Sequence, residues 1–356
     1  MSAAVIPIIG IPRFSLSIAN VAVAPAVQAD IGSIELCEDI NMPAMLSFSM
    51  NLWDGMHMRL KEDYLDQFAL GTSLELKLGI DDDIQIFTGE VTALEPEFGG
   101  VNSPDSLRVR AYNRLHRLQF GNPQRPPYIE KSSSEIASEV AEALGLTPKV
   151  DATTVKHPYV LQANETDMAF LLRLAAPLHY EVSVEDKDLY FRRPQVDEGA
   201  AVSLTYRRDL IQFSPRQRVI TTGASVTVRG WNALTKEPIV GVAGAGDEAS
   251  KMGGSRTGAE LSAAAFMSST RSVPGEILMD ADEAAEIARA WYDRDQSDFI
   301  EAQGESAGSP LIRAGKTIEI VGVGKMYSTK YQVISAKHTI GPTGYRTQFE
   351  VRRNSV

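Results

Sequence analysis

One pattern of short segments occurs twice in the chain, once in each half. The matched segments, in order, are 71–76 with 315–320, 91–93 with 333–335, and 107–110 with 349–352. The first pair reads GTSLEL against GKTIEI, and the spacing from Val91 to Val109 equals the spacing from Val333 to Val351. An internal repeat determines the architecture of the whole chain. The sequence therefore predicts two related units.

Both copies alternate apolar and polar residues. Leu74 and Leu76 alternate with polar neighbours in the first copy, as Ile318 and Ile320 do in the second. A period of two over so few residues, with Gly and Pro between the runs, is typical of half-buried antiparallel strands. We therefore predict a mainly β chain with α+β insertions, whose first β-domain covers residues 1–118.

Residues 119–200 have a different pattern and are predicted to form an α+β insertion domain. A proline-rich linker is followed by Ser132, three residues before Glu135, which is the signature of a helix capping box. Thr166 is predicted to cap a second helix. Alternating residues over 180–191 then predict a β-hairpin.

The second β-domain is predicted at 201–240 and 299–356, with Ser225–Trp231 as one of its strands. A loop-and-helix insertion at 241–298 separates its two parts. The first part of this insertion, Gly241–Pro274, is rich in Gly, Ala and Ser and has little periodicity. It is therefore predicted to be irregular, with a helix following it.

The composition argues against several classes of protein. A formal net charge of −11 disfavours a nucleic-acid binder, which needs a basic face. The single Cys37 excludes an internal disulfide and a multi-cysteine metal site, and the five histidines lack metal-ligand spacing. We therefore expect no metal and no cofactor.

The chain also lacks the sequence signals of export and membrane insertion. No run approaches the roughly 20 apolar residues of a membrane-spanning helix. The N-terminus has neither the basic region nor the cleavage motif of a secretory signal. We expect a protein made in the cytoplasm, without stable membrane insertion.

One motif suggests a serine hydrolase as an alternative function. Residues 304–308 read GESAG, which matches the G-x-S-x-G pattern around Ser306, and His338 lies downstream as a potential base. The nucleophile elbow requires a strand before the serine and a helix after it. Because Pro310 and a predicted strand follow here, a turn between strands is the favoured interpretation, and no catalytic residue is assigned.

Tryptophans suggest a second alternative, a carbohydrate-binding β-protein. Trp231 lies in a predicted strand and Trp291 on a predicted amphipathic helix. Aromatic residues in such positions more often belong to a core or a subunit interface. The core or interface role is therefore favoured.

Several segments together resemble one family, the phage late control gene D proteins. They are Glu165–Asp167 with Phe170–Leu174, Ser225–Trp231, Ala314–Lys316, Tyr331–Val333, Lys337–His338 and Gly344–Val351. These proteins are tail hubs and are similar to the N-terminal portion of the type VI secretion spike protein VgrG. The resemblance covers nearly the whole chain and depends on the order and spacing of the segments.

The resemblance implies a non-enzymatic homotrimer at the baseplate of a phage tail or contractile injection system. Two tube-like β-barrel domains per chain would make the trimer a pseudo-sixfold ring that joins a sixfold tail tube to a trimeric spike. The ring would form part of the delivery channel. The expected partners are the tail tube protein, a separate spike protein and other baseplate proteins. A phage, a tailocin and an extracellular injection system remain open as the parent particle.

Overall fold

The computed structural model describes residues 13–79, 84–100, 103–196, 199–232, 235–266, 268–274, 278–342 and 344–356. Its strands are β1 (Arg13–Ile18), β2 (Val21–Ala22), β3 (Ile31–Asp39), β4 (Met45–Asn51), β5 (Trp53–Asp54), β6 (Arg59–Leu60), β7 (Ser73–Gly79), β8 (Ile84–Glu97), β9 (Ser106–Tyr112), β10 (Thr147–Val150), β11 (Glu181–Glu185), β12 (Asp188–Arg192), β13 (Ser203–Thr205), β14 (Leu210–Gln217), β15 (Ser225–Asn232), β16 (Glu237–Gly244), β17 (Thr270–Pro274), β18 (Ile300–Ser306), β19 (Thr317–Val321), β20 (Lys330–Gly341) and β21 (Gly344–Arg353). Its helices are α1 (Pro25–Ala29), α2 (Asp63–Gln67), α3 (Ser133–Ala143), α4 (Asp167–Ala175), α5 (Gly258–Ala265) and α6 (Ala281–Ser297), with 3₁₀ helices at Arg114–Gln119 and Ala176–Leu178.

A sheet of 13 strands runs through both halves of the chain. Its hydrogen-bonded order is β14-β18-β21-β20-β3-β4-β9-β8-β7-β1-β2, and β19 pairs with β20 and β13 beside this path. Strands β13 and β19 are parallel, whereas neighbours along the path are antiparallel. Two further sheets, β10-β12-β11 and β16-β15-β17, lie in the insertions. The predicted fold class, mainly β with α+β insertions, is confirmed.

The predicted repeat is present in the strand pairing. We call β3, β4, β9, β8 and β7 the first unit, and β14, β18, β21, β20 and β19, paired in the same order, the second unit. The N–H of Gly71 donates to the carbonyl of Val91 at 2.8 Å, and the N–H of Gly315 donates to the carbonyl of Val333 at 2.9 Å. Both glycines have positive φ, +83° and +80°, a conformation that favours glycine. The segments at 71–76 and 315–320 are therefore equivalent.

Matching β-bulges occur at two places in each unit. The extra residue is Thr92 between β8 and β9, and Ile334 between β20 and β21. It is Gly32 between β3 and β4, and Ile211 between β14 and β18. Because a bulge bends its strand and increases the local twist, both units bend at corresponding points.

The third pair of matched segments is displaced by two residues in the structure. Val333 pairs with Val351, whereas Val91 pairs with Ala111 and not with Val109. The prediction that Val109 matches Val351 was therefore wrong. The pair Glu97 and Ser106 of the first unit corresponds to the pair Thr339 and Arg346 of the second. The connection between them is residues 98–105 in the first unit and residues 340–345 in the second, which is two residues shorter.

Separate apolar cores lie beneath the two units. Leu36, Leu46 and Leu74 are fully buried in the first core, and Ile318 and Tyr331 are fully buried in the second. These are the inward positions of the alternating patterns. Burial of each such side chain stabilises the fold by about 1.5–3 kcal/mol relative to exposure.

The first insertion has the two capped helices and the hairpin that the sequence predicts. The Ser132 hydroxyl accepts the N–H of Glu135, and the Glu135 carboxylate accepts the N–H of Ser132, which confirms the capping box of α3. The Thr166 hydroxyl accepts the N–H of Ala169 and caps α4. Helices α3 and α4 pack with the β11–β12 hairpin around a buried core that includes Phe170.

The second insertion differs from its prediction. Strand β15 pairs with β16 and β17 in a separate sheet that α6 covers, and not with the second unit. The segment Gly241–Pro274, predicted to be irregular, contains α5 and β17. Helix α6 approaches β16 so closely that a Cβ on Gly241 would lie 2.1 Å from the backbone of Ala284. Helix α5 has a capping box, Thr257 with Glu260, that the sequence analysis missed. The domain limits themselves stay predictions.

A cavity of about 200 Å³ lies where the two insertions meet the second unit. Asp293 of α6 lines it and accepts the N–H of Ala249 at 3.1 Å. Burial raises the pKa of Asp293 to about 6. His179 lines the same cavity, where burial lowers its pKa to about 4.

None of the helices in the described ranges combines the length and apolarity that a membrane crossing needs.

We expect Asp293→Asn to stabilise the protein above pH 6 and to change little near pH 4. The folded state raises the pKa of this carboxyl, so it binds the proton more tightly than the unfolded chain; stability therefore falls as the pH rises to about 6 and stays lower above that pH. Asparagine keeps an oxygen for the Ala249 N–H. The expected gain at pH 7.5 is about 1–2 kcal/mol, measured by urea unfolding at both pH values. An equal difference at both would contradict the prediction.

Candidate functional site

The two units join inside the chain through one strand pair, β3 with β20, which we call the internal interface. Ile34–Asp39 pair with Ser335–Ile340 in antiparallel register. Beyond them, the N–H of Ile40 donates to the carbonyl of Ile334 at 3.1 Å. Because hydrogen-bonded pairs alternate with non-hydrogen-bonded pairs in an antiparallel ladder, every second residue of β20 directs its backbone groups to β3.

Charged side chains hold the internal interface on both faces of the sheet. Lys337 lies 2.8 Å from Glu35, and the hydrogen bond from Lys337 lowers the pKa of that carboxyl. Arg313, in the loop before β19, forms a two-point ion pair with the nearly buried Glu38. Burial alone would lower the pKa of Arg313, but Glu38 raises it. Both pairs connect the first unit to the second.

A buried histidine lies at the same interface. His338 is only 1% exposed, and its Nδ1 lies 2.8 Å from the Tyr345 hydroxyl and 3.2 Å from the Thr347 hydroxyl. Burial, together with the charge of Arg313, lowers the pKa of His338 to about 3. The imidazole is therefore neutral at physiological pH and acts here as a hydrogen-bonding group of the core.

The structure does not bring Ser306 and His338 together as a catalytic pair. Ser306 is 1% exposed, and its hydroxyl donates to the carbonyl of Thr347 at 3.4 Å. Thr347 pairs with Ser306 on one side and with His338 on the other. Two strand spacings separate the serine from the histidine by about 10 Å. Strand β19 follows Ser306 in place of the helix that a nucleophile elbow requires.

The tryptophans do not form a common binding surface. Trp231 is 59% exposed and lies on the face of β15 opposite to Val226 and Val228, which pack toward α6. Trp291 lies on α6 and packs against the guanidinium of Arg271, 4.5 Å from the ring centre. The carbohydrate-binding alternative therefore receives no support from their placement.

Among the strands of the large sheet that have an edge without a partner strand in the described part of the chain, β8 and β14 are related to the internal interface. Residues 93–97 of β8 pair with β9 on one side only, and residues 212–217 of β14 pair with β18 on one side only. We call residues 92–98 the first open edge and residues 213–219 the second open edge. Apolar side chains are exposed along both, with Phe98 62% and Val219 44% exposed. An edge of this kind presents free N–H and C=O groups to another strand.

The repeat relates these open edges to the internal interface. Strand β8 of the first unit corresponds to β20 of the second, and β14 corresponds to β3. The first open edge is therefore the counterpart of the β20 edge that pairs in the internal interface. The second open edge is the counterpart of the β3 edge in the same interface. The chain presents, unpaired, the same two surfaces that it pairs internally.

One protein-family model matches most of the chain. A family model described as the Alg8 N-terminal domain matches residues 26–341. The chain belongs to this family. The family that the sequence resemblance indicated, the phage late control gene D proteins, is not the one whose model matches. No curated protein matches the chain.

Solved structures of phage and secretion proteins share the fold of this Alg8 N-terminal domain family member. The 43 kDa tail protein of prophage MuSo2 from Shewanella oneidensis has a TM-score of 0.68 at 13% identity, over 96% of this chain and 98% of that one. A tail protein from Neisseria meningitidis MC58 has a TM-score of 0.67 at 10% identity, over 96% of each chain. An E. coli component of the type VI secretion system has a TM-score of 0.60 at 13% identity, over 96% of this chain and 77% of that one. The broader resemblance to tail and VgrG-related proteins is confirmed for the fold.

The repeat was predicted from the sequence, but neither open edge was. No strand was predicted at β14, which contains Pro215, or beyond Ala93 in β8. Proline disfavours an interior strand position, and it is tolerated where its nitrogen faces an edge. Proline between alternating residues was the signal that could have identified the second open edge.

We expect Arg313→Met to lower the free energy of unfolding by about 3 kcal/mol, because it leaves the nearly buried Glu38 without its partner. The double variant Arg313→Met/Glu38→Met should recover much of this loss. Urea unfolding of both, beside Lys316→Met as a control on the same loop, measures the effect. A loss as small as that of Lys316→Met would show that the ion pair does not hold the interface.

We expect Ser306→Ala to leave any ester hydrolysis by the purified protein unchanged, because the hydroxyl is buried and bonded to a backbone carbonyl. Hydrolysis of a chromogenic ester by the parent and the variant, with circular dichroism to verify folding, tests this. Activity in the parent that the folded variant lacks would restore the serine hydrolase hypothesis.

Proposed function

We propose that the protein is the structural baseplate hub of a phage tail or a related contractile injection system, acting as a homotrimeric ring. The shared fold with tail proteins and with a component of the type VI secretion system supports this role. The observation that carries the proposal is the pair of open edges, which repeat the two sides of the internal interface.

Two complementary edges on the two units of one chain favour head-to-tail association. The first open edge of one copy fits the second open edge of the next, as β20 fits β3 within the chain. A head-to-tail contact produces a closed ring when its rotation closes, and a filament when it does not. Three chains with two units each supply six similar units, which supports a ring that matches a sixfold tail tube.

The two insertions give the proposed ring its threefold character. The α+β insertion follows β9 of the first unit, and the sheet covered by α6 lies between β14 and β18 of the second. Each insertion would occur three times in a trimer, whereas the sheet unit would occur six times. Such a ring can contact a sixfold tube through the sheets and a threefold spike, on a separate chain, through the insertions.

The polar face of the shared sheet is suited to line a passage. Outward residues of the central strands carry both charges, among them Glu35, Lys337, Glu350, Arg108 and Arg110. A surface of mixed charge exerts little net field on a passing molecule. The proposed mechanism is mechanical: the ring holds the spike, moves outward with the tube on sheath contraction, and then forms part of the delivery channel.

Electron microscopy of the purified protein over a range of concentrations, with native mass spectrometry, tests the proposal. We expect particles of three chains and threefold rings with an open centre. Added tail tube protein from the same genome should stack on one face of the ring. A protein that stays monomeric at every concentration and does not bind the tube protein would contradict the hub role.

A further inference from the structure

We infer that copies of this chain join through β8 of one copy and β14 of the next, and that two facing prolines keep this contact weaker than the internal interface. This inference rests on the proposed ring. The matched bulges place Leu94 at the position of Ala336, and Gln217 at the position of Glu38. Ala336 pairs with Glu38 inside the chain. Leu94 of one copy therefore lies opposite Gln217 of the next.

The side chains on both faces of the sheet suit this register. On the polar face, Glu95 lies opposite Arg216, so opposite charges meet. On the core face, Phe98 lies opposite Phe213, and the contact covers a phenylalanine that is 62% exposed in the single chain. The same register thus joins opposite charges and buries an exposed aromatic side chain.

Two prolines face each other in this register. Pro96 corresponds to His338 and Pro215 corresponds to Leu36, which pair inside the chain. The hydrogen bond from the Ile40 N–H to the Ile334 carbonyl makes every second pair a hydrogen-bonded one, and the pair of His338 with Leu36 is among them.

The backbone of β14 confirms that Pro215 faces the open side. Arg218 donates its N–H to the carbonyl of Phe299, the residue before β18, so Arg218 directs its backbone groups to that strand. Pro215 lies three residues earlier and therefore directs its nitrogen away from β18. A proline on each edge leaves this pair with two carbonyls and no donor.

The missing donors weaken the contact between copies without removing it. The internal interface has two backbone hydrogen bonds at this position that the contact between copies cannot form. Proline is also a common means of preventing indiscriminate pairing of sheet edges. The prolines thus keep the single chain from joining foreign strands, and the ring forms when concentration or a tube or spike partner brings three copies together.

Cysteine cross-linking tests the register. In a Cys37→Ser background, we introduce Glu95→Cys and Arg216→Cys, which fall at a non-hydrogen-bonded pair with Cα atoms about 4.5 Å apart, within disulfide range. Mild oxidation should give covalent dimers and trimers on a non-reducing gel. Glu95→Cys with Gln212→Cys is the matched control, four residues out of register, and should give little cross-linking. Equal cross-linking of the two pairs would overturn the register.

Sedimentation velocity tests the role of the prolines. Pro96→Val with Pro215→Leu restores two backbone N–H donors. The protein concentration at which half of the chains are assembled should therefore fall by about tenfold or more. Pro126→Val, in the exposed linker, is the control and should leave it unchanged. Trimers of the parent without a lower midpoint in the double variant would overturn the proline role.

The outcomes separate this inference from the proposed function. Threefold rings of the parent without cross-linking of the 95–216 pair would overturn the contact and leave the hub proposal in place. No assembly of the parent or of the proline variant, together with no cross-linking, would overturn both the contact and the ring.

Discussion

The hydrogen-bonding requirement of strand edges constrains the whole architecture. Each unit alone would expose a β20-like edge and a β3-like edge, and unpaired edges invite association with any extended chain. The chain satisfies one edge of each type by pairing β3 with β20. The remaining two edges are of the same two types. One edge of each type is therefore paired within the chain, and one of each type is left without a partner strand.

The internal interface and the open edges differ in chemistry in a way that fits permanent and controlled contacts. Inside, Arg313 pairs with Glu38, and the neutral His338 bonds the Tyr345 hydroxyl in a buried setting. Separating Arg313 from the nearly buried Glu38 is costly, because the carboxylate loses its partner. At the open edges, prolines replace hydrogen-bond donors, and the facing charges lie on the exposed side of the sheet. In the proposed assembly, the internal interface stays formed, whereas the contact between copies forms only when copies or partners are brought together.

The insertions extend this logic from one chain to an assembly. Both follow strands of the sheet, yet the two have unrelated folds, one with α3, α4 and a hairpin and the other with α6 on a three-stranded sheet. A duplicated sheet with unequal insertions has one part that repeats with each unit and another that repeats with each chain. Partners of different symmetry can therefore be accommodated by one type of subunit.

The sequence by itself determined the local elements of this protein. Alternation placed β7 and β19 and showed that they are copies, and the capping pair Ser132 and Glu135 placed the start of α3, because these signals act between near neighbours. Only the tertiary structure decided the pairing. It moved the match of Val351 from Val109 to Ala111, because the length of a connecting loop is not encoded in the strands it joins. It also placed β15 in the second insertion, showed that Ser306 and His338 are separated by Thr347, and revealed the open edges, because strand pairing depends on contacts between residues far apart in the chain.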